Sequence, residues 1–204
     1  MLETLVAGAI TGFARLVTGA SARWIGCAPD PTRRIYYANH TSHGDFVLLW
    51  AVLPEALRKQ TRPVAAADYW DTDGLRGYLI HRVFRGVLVE RGGEPRVKDP
   101  LAPILEALDQ QQSVIIFPEG TRNTGADMLP FKSGIFHLAR LRPGVDLVPV
   151  WIENLNRVMP KGQLIPVPLL CSVRFGTPIR LREGEEKQPF LDRARQAIVE
   201  LHRT

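Results

Sequence analysis

The first apolar pattern along the chain is helical. At about 100° per residue, Leu2, Leu5, Val6, Ile10, Phe13, Leu16 and Val17 fall within a stripe of about 140°, while Thr4, Thr11, Arg15 and Thr18 point the other way. The spacing predicts an amphipathic helix within residues 1–25. Glu3 and Arg15, with glycines and alanines between the larger side chains, make it too polar to span a bilayer, and it lacks the basic start and cleavage site of a signal peptide. Two placements fit: an anchor lying in the plane of a membrane surface, or a helix packing its stripe on the core.

From residue 26 onward the period changes repeatedly. Apolar runs at 35–39, 63–67, 86–90, 113–117, 145–151 and 170–175 read as strands, and helical patterns occupy 46–57, 75–84, 100–110, 133–141 and 186–202. Strands that alternate with helices predict one α/β domain over residues 26–204, with a mixed, largely parallel sheet flanked by helices and ligands bound where strands end. Residues 157–168, interrupted by Pro160, Gly162, Pro166 and Pro168, read as a loop suited to acceptor or chain-length selection, or simply as a variable surface loop.

Composition narrows the class. The chain has 204 residues with 45% hydrophobic content, enough for one proper core. Its 26 Lys and Arg against 21 Asp and Glu leave a formal charge of +5, which favours anionic partners such as phospholipid headgroups. The basic residues are scattered, and no zinc-finger spacing, RNA-binding aromatic signature or helix-turn-helix is present, so nucleic acid is set aside. Cys27 and Cys171 lack metal-ligand spacing and are too few to staple a secreted scaffold, which points to a reducing compartment.

Two segments carry candidate chemistry. Asn39-His40-Thr41-Ser42-His43-Gly44-Asp45 lies where a strand gives way to a helix. Histidine is the side chain best suited to take a proton near neutral pH, and a carboxylate on its other ring nitrogen fixes the tautomer, so a turn that folds Asp45 onto His40 makes a general base. On the residues alone, other readings stay open: a metal site of His40, His43 and Asp45, a Ser42 nucleophile without the usual glycine elbow, or a helix cap by Thr41 or Ser42 beside a chance histidine. The second segment, Phe117-Pro118-Glu119-Gly120-Thr121-Arg122-Asn123, also follows a buried strand. Gly120 permits close backbone approach, Thr121 donates to oxygen, Arg122 offers a planar fork suited to phosphate, and Glu119 is placed to hold Arg122. Trp50, Tyr69, Trp70 and Tyr78, between these segments, suit either an acyl channel, a lipid interface or ordinary packing.

Taken together, these segments resemble the glycerolipid acyltransferase family that includes bacterial 1-acylglycerol-3-phosphate acyltransferase. Asn39, His40 and Asp45 match its first block. Residues 86–91, ending in Arg91, are similar to the second; Phe117 to Arg122 match the third, followed by Phe131-Lys132-x-Gly134; and Val148-Pro149-Val150 looks like the fourth. The resemblance implies an O-acyltransferase in which His40 is the general base and Asp45 its orienting partner. Arg122, with Arg91 and Lys132, would hold the acceptor phosphate, and Phe117, Glu119, Gly120, Thr121 and Pro149 would complete the binding site. It implies acyl-CoA or acyl carrier protein as donor, a lysophospholipid as acceptor, no metal or redox cofactor, and a peripheral place on the cytoplasmic face of a bacterial inner membrane. Lyso-ornithine lipid and glycerol 3-phosphate are the other acceptors to weigh, and a lipid-binding membrane-surface protein is the reading outside enzymes. The oxyanion donor is not named by the resemblance; backbone amides near Gly120 or Pro149 are the candidates.

Overall fold

A computed structural model describes residues 1–42, 44–90, 99–123, 125, 127–153 and 170–204. Arg91, His43 and the proline-rich segment singled out above lie outside the described residues. Seven strands form one sheet: β1 (Ser21–Trp24), β2 (Arg34–Ala38), β3 (Thr61–Ala66), β4 (Val87–Val89), β5 (Ser113–Ile116), β6 (Asp146–Glu153) and β7 (Ser172–Phe175), in the order β1-β7-β6-β2-β5-β3-β4. Strands β2 to β6 are mutually parallel, β7 runs antiparallel to β6, and β1 pairs in parallel with β7. The mixed, largely parallel sheet flanked by helices therefore stands.

Both faces of the central strands are covered, which is why they read as unbroken apolar runs. Tyr36 and Ala38 of β2 face one core with Ile115, Val148 and Phe175, while Ile35 and Tyr37 face the other with Val114, Ile116 and Leu147. The first core is covered by α1 (Leu2–Thr18) and α2 (Asp45–Val52), the second by α6 (Ala102–Asp109), α7 (Gly134–Leu141) and α8 (Lys187–His202). Helix α2 is apolar all round and almost wholly buried, so Asp45 at its first position is carried into the interior with no exposed surface.

The helical pattern of 46–57 divides into α2 and α3 (Glu55–Lys59), because Pro54 forces Leu53 into an extended conformation with ψ 142°. The pattern of 75–84 is α5 (Leu75–Tyr78) continued as a π-turn (Leu79–Val83). Neither β1 nor the one-turn α4 (Ala67–Trp70) has a hydropathic signal: Ser21–Trp24 is a half-exposed edge strand, and its pairing with β7 comes from the far end of the chain.

Helix α1 buries only part of its apolar stripe. It packs on α2 and the π-turn, but through Ala7, Ile10, Val17 and the buried Thr11 and Thr18, not through the whole apolar stripe. The two threonine hydroxyls donate back to the carbonyls of Ala7 (2.7 Å) and Ala14 (2.6 Å), so they are buried without an unmet hydrogen bond. The other half of the stripe, Leu2, Leu5, Phe13 and Leu16, stands between 63% and 84% exposed. No helix among the described residues is long and apolar enough to cross a membrane.

Candidate active site

β2 and β5 lie side by side and parallel, with Tyr37 opposite Ile116, so the loops leaving their C-terminal ends emerge together. That adjacency brings the two candidate segments into one site. Asn39, the residue after β2, is buried and its amide clamps β6: Nδ2 donates to the Ile152 carbonyl (2.9 Å) and Oδ1 accepts from the Ile152 N–H (2.7 Å). The strand end that carries His40 is thereby fixed on one side to β6 and on the other to β5. The sequence marks Asn39 as part of a block but not as a clamp, since its partner is 113 residues away.

His40 and Asp45 meet as the spacing predicts. His40 Nδ1 lies 2.8 Å from Asp45 Oδ2, and the same oxygen accepts the backbone N–H groups of Thr41 (2.6 Å) and Ser42 (2.8 Å). Three donors converge on one carboxylate oxygen at the N-terminus of α2, where the helix dipole also favours negative charge. With Asp45 as acceptor, Nδ1 carries the proton and the lone pair of Nε2 is left for a substrate. The imidazole is partly exposed (22%) and stacks on the Phe117 ring at 4.3 Å and 23°. Ser42 is buried and its Oγ accepts the Gly44 N–H at 3.3 Å, so it is a turn residue, not a nucleophile aimed at the cavity. Among the described residues no group of three or more potential metal ligands comes together.

Glu119 does something the sequence reading did not foresee. It is buried, and its two oxygens accept backbone N–H groups from His40 (2.9 Å) and Leu129 (3.0 Å), so it does not hold Arg122. The His40 carbonyl in turn accepts the Asn123 N–H at 2.7 Å. Glu119 and Asn123 thus grip the histidine's backbone from both sides. A carboxylate three residues beyond a fully buried strand is the available signal, because such a group, if carried inside, must find donors within the protein.

His40, Phe117, Gly120, Thr121, Arg122 and Lys132 share one cavity of about 420 Å³. Arg122 and Lys132 are exposed at it and form no ion pair among the described residues. The Lys132 stem lies across Gly120, whose φ is +73°; a Cβ there would come within 3.1 Å of Lys132 Cγ. Deeper walls are apolar, supplied by Val89, Leu101, Ile104, Ile135 and Leu138. Of the four aromatics, Tyr69 and Trp70 line the cavity, Trp50 is core, and Tyr78 belongs to a separate shallow depression with Asp71 and His81. Pro149 sits buried inside β6 opposite Tyr37 and does not reach this cavity.

The acyltransferase family model matches residues 28–153, more than half of the chain. The chain belongs to the acyltransferase family. The matched stretch holds every element that builds the cavity, and β1, β7 and α8 lie outside it. Relatives include the 1-acyl-sn-glycerol-3-phosphate acyltransferase of Cocos nucifera, 28% identical over 84% of this chain and 56% of the relative. The enzyme of that name from Escherichia coli is 29% identical over 61% and 51%. The chain thus spans about half the length of these curated relatives. Among solved structures, the 1-acyl-sn-glycerophosphate acyltransferase of Thermotoga maritima superposes with a TM-score of 0.71 at 21% identity, covering 98% of this chain and 81% of that one, a likeness of fold.

Proposed function

We propose that this acyltransferase moves a fatty acyl group from a thioester, acyl-CoA or acyl carrier protein, to the free hydroxyl of 1-acyl-sn-glycerol 3-phosphate. The observation that carries the reading is the His40–Asp45 pair at a cavity lined both by Arg122 and Lys132, which form no ion pair among the described residues, and by a set of apolar side chains. The acceptor hydroxyl gives its proton to His40 Nε2 as its oxygen attacks the thioester carbon. When the carbon–sulfur bond breaks, the thiolate takes that proton back as thiol. Alcoholysis of a thioester changes no oxidation state, so the proposal assigns no metal or redox cofactor. Arg122 and Lys132 are suited to the acceptor phosphate, and the wall of Leu101, Ile104, Ile135 and Leu138 to an acyl chain. The names of the curated relatives support this choice of acceptor.

Purified protein offered an acyl-CoA should release thiol only when lysophosphatidate is added, with phosphatidate as the product by mass spectrometry. No acceptor-dependent release from either class of donor, together with binding to liposomes, would replace the enzyme reading by that of a lipid-binding surface protein. Arg122→Ala should raise the acceptor KM about 10- to 100-fold, the worth of a charge-assisted hydrogen bond of about 1.5–3 kcal/mol. Its KM for a lyso-ornithine lipid, which has no phosphate, should hardly move; equal losses for both acceptors would remove Arg122 from the phosphate site.

The exposed half of the α1 stripe supports a peripheral position, with the helix in the plane of the membrane and its small-residue face on the domain. We place the enzyme on the cytoplasmic face of the bacterial inner membrane, where acyl thioesters are available. The double variant Leu5→Ser and Leu16→Ser should weaken partition onto anionic vesicles about 100-fold, at about 1.5 kcal/mol per leucine withdrawn from the apolar layer. Co-sedimentation equal to that of the unmodified protein would return α1 to a purely structural role.

A further inference from the structure

Attack on the thioester turns the carbonyl oxygen into an oxyanion, and the His40–Asp45 pair offers it no donor: its one ring N–H is given to Asp45. We propose that the backbone N–H groups of Thr121 and Arg122 supply the oxyanion hole, an inference that rests on the acyl-transfer reading above. Most of the described amides next to the histidine are already taken. Those of His40, Thr41 and Ser42 are taken by Glu119 and Asp45, and that of Gly44 by Ser42 Oγ. The Gly120 N–H donates to the Phe117 carbonyl (3.0 Å), and that of Asn123 to the His40 carbonyl (2.7 Å). Between these two pinned amides stand Thr121 and Arg122, whose N–H groups have no acceptor among the described residues, in a segment held against the histidine's own backbone.

Both residues line the cavity with His40. The left-handed φ of Gly120, +73°, is the conformation that turns consecutive amides toward one side to form an anion-binding concavity. The rival location fails on the same accounting: Pro149 has no N–H, and the Ile152 N–H is taken by Asn39. The first-turn residues of α7, Gly134 and Ile135, line the same cavity, but no hydrogen bond among the described residues joins them to the histidine's backbone.

As the bond between acceptor oxygen and thioester carbon forms, the carbonyl π pair moves onto oxygen, where the two amides receive it. As the carbon–sulfur bond breaks, the pair returns to remake the C=O bond of the ester. The two amides therefore bind the transition state more tightly than the ground state, and their loss should appear in the rate of the chemical step and not in acceptor affinity.

The test compares Thr121→Ala, which removes the side chain and keeps the amide, with Thr121→Pro, which removes the N–H. A third form carries an ester in place of the 120–121 amide, introduced with the α-hydroxy analogue of threonine. Single-turnover rates with acyl-CoA and lysophosphatidate should fall about 10²- to 10³-fold from Thr121→Ala to Thr121→Pro, and similarly from the unmodified protein to the ester form, with the acceptor Kd unchanged. The ester form decides the matter if the proline variant does not fold. An ester form that retains the unmodified rate overturns the proposal, whereas an unmodified protein that releases no thiol overturns the function reading instead.

Discussion

On the proposed acyl transfer, His40→Ala should lower the single-turnover rate by about 10⁴-fold, the upper end of what a positioned general base contributes, because among the described residues lining the cavity His40 is the one histidine or carboxylate there to take the acceptor's proton. Asp45→Asn lowers it far less, by about 10- to 100-fold, corresponding to one charge-assisted hydrogen bond of about 1.5–3 kcal/mol. The distinction comes from the carboxylate's two unequal oxygens. Oδ2 accepts three N–H donors, whereas Oδ1 is buried with no hydrogen bond among the described residues. An asparagine therefore keeps its carbonyl oxygen toward Thr41, Ser42 and His40, and turns its NH₂ to the vacant side. The histidine tautomer survives, and only the charge facing the developing imidazolium is lost. In the serine-protease triad the matching change presents the wrong tautomer and costs about 10⁴ in rate. Asp45→Ala, which frees the ring and leaves two buried amides unpaired, should fall close to His40→Ala. Pre-steady-state thiol release across the three variants checks the order; an asparagine variant as inactive as His40→Ala would mean that the amide flips.

Much of this is legible in the sequence, for reasons that differ by element. The order of strands and helices is readable because β2, β5 and β6 are buried on both faces and leave continuous apolar runs, while α7 and α8 each bury one face. The His40–Asp45 pair is readable because it is local: five residues and one turn bring the groups together. What is not readable depends on distant partners. Asn39 holds Ile152 and Glu119 holds His40, across 113 and 79 residues, and nothing near either residue names its partner. The orientation of α1 is hidden for another reason. Hydropathy ranks Leu5 and Leu16 above Thr11 and Thr18 for burial, but small side chains that satisfy their own hydroxyls let the helix approach α2 closely.

Glu119 is the long-range partner whose loss should have the second large effect. Glu119→Ala should destabilise the protein by up to about 6 kcal/mol, since it leaves the partly buried His40 and Leu129 N–H groups without this acceptor, and a fully buried unmet donor costs about 1–3 kcal/mol. Glu119→Gln is the sharper probe. A glutamine has one acceptor where the site presents two donors, so one amide must face its NH₂. If the oxygen stays on His40, the loss falls on Leu129 and is mainly one of stability. If it stays on Leu129, the repelled His40 N–H shifts the strand end that carries the base. The two outcomes separate in measurement: denaturant midpoint reports the first, and single-turnover rate at a temperature where the variant is fully folded reports the second. A Glu119→Gln protein with both unmodified midpoint and unmodified rate would show that the carboxylate's grip on His40 contributes nothing. Because Asn123 holds the other side of the same peptide, the rate loss should be larger still when Glu119→Gln is combined with Asn123→Pro, which deletes the N–H that His40 accepts, and the excess over the sum measures how far the two grips act as one.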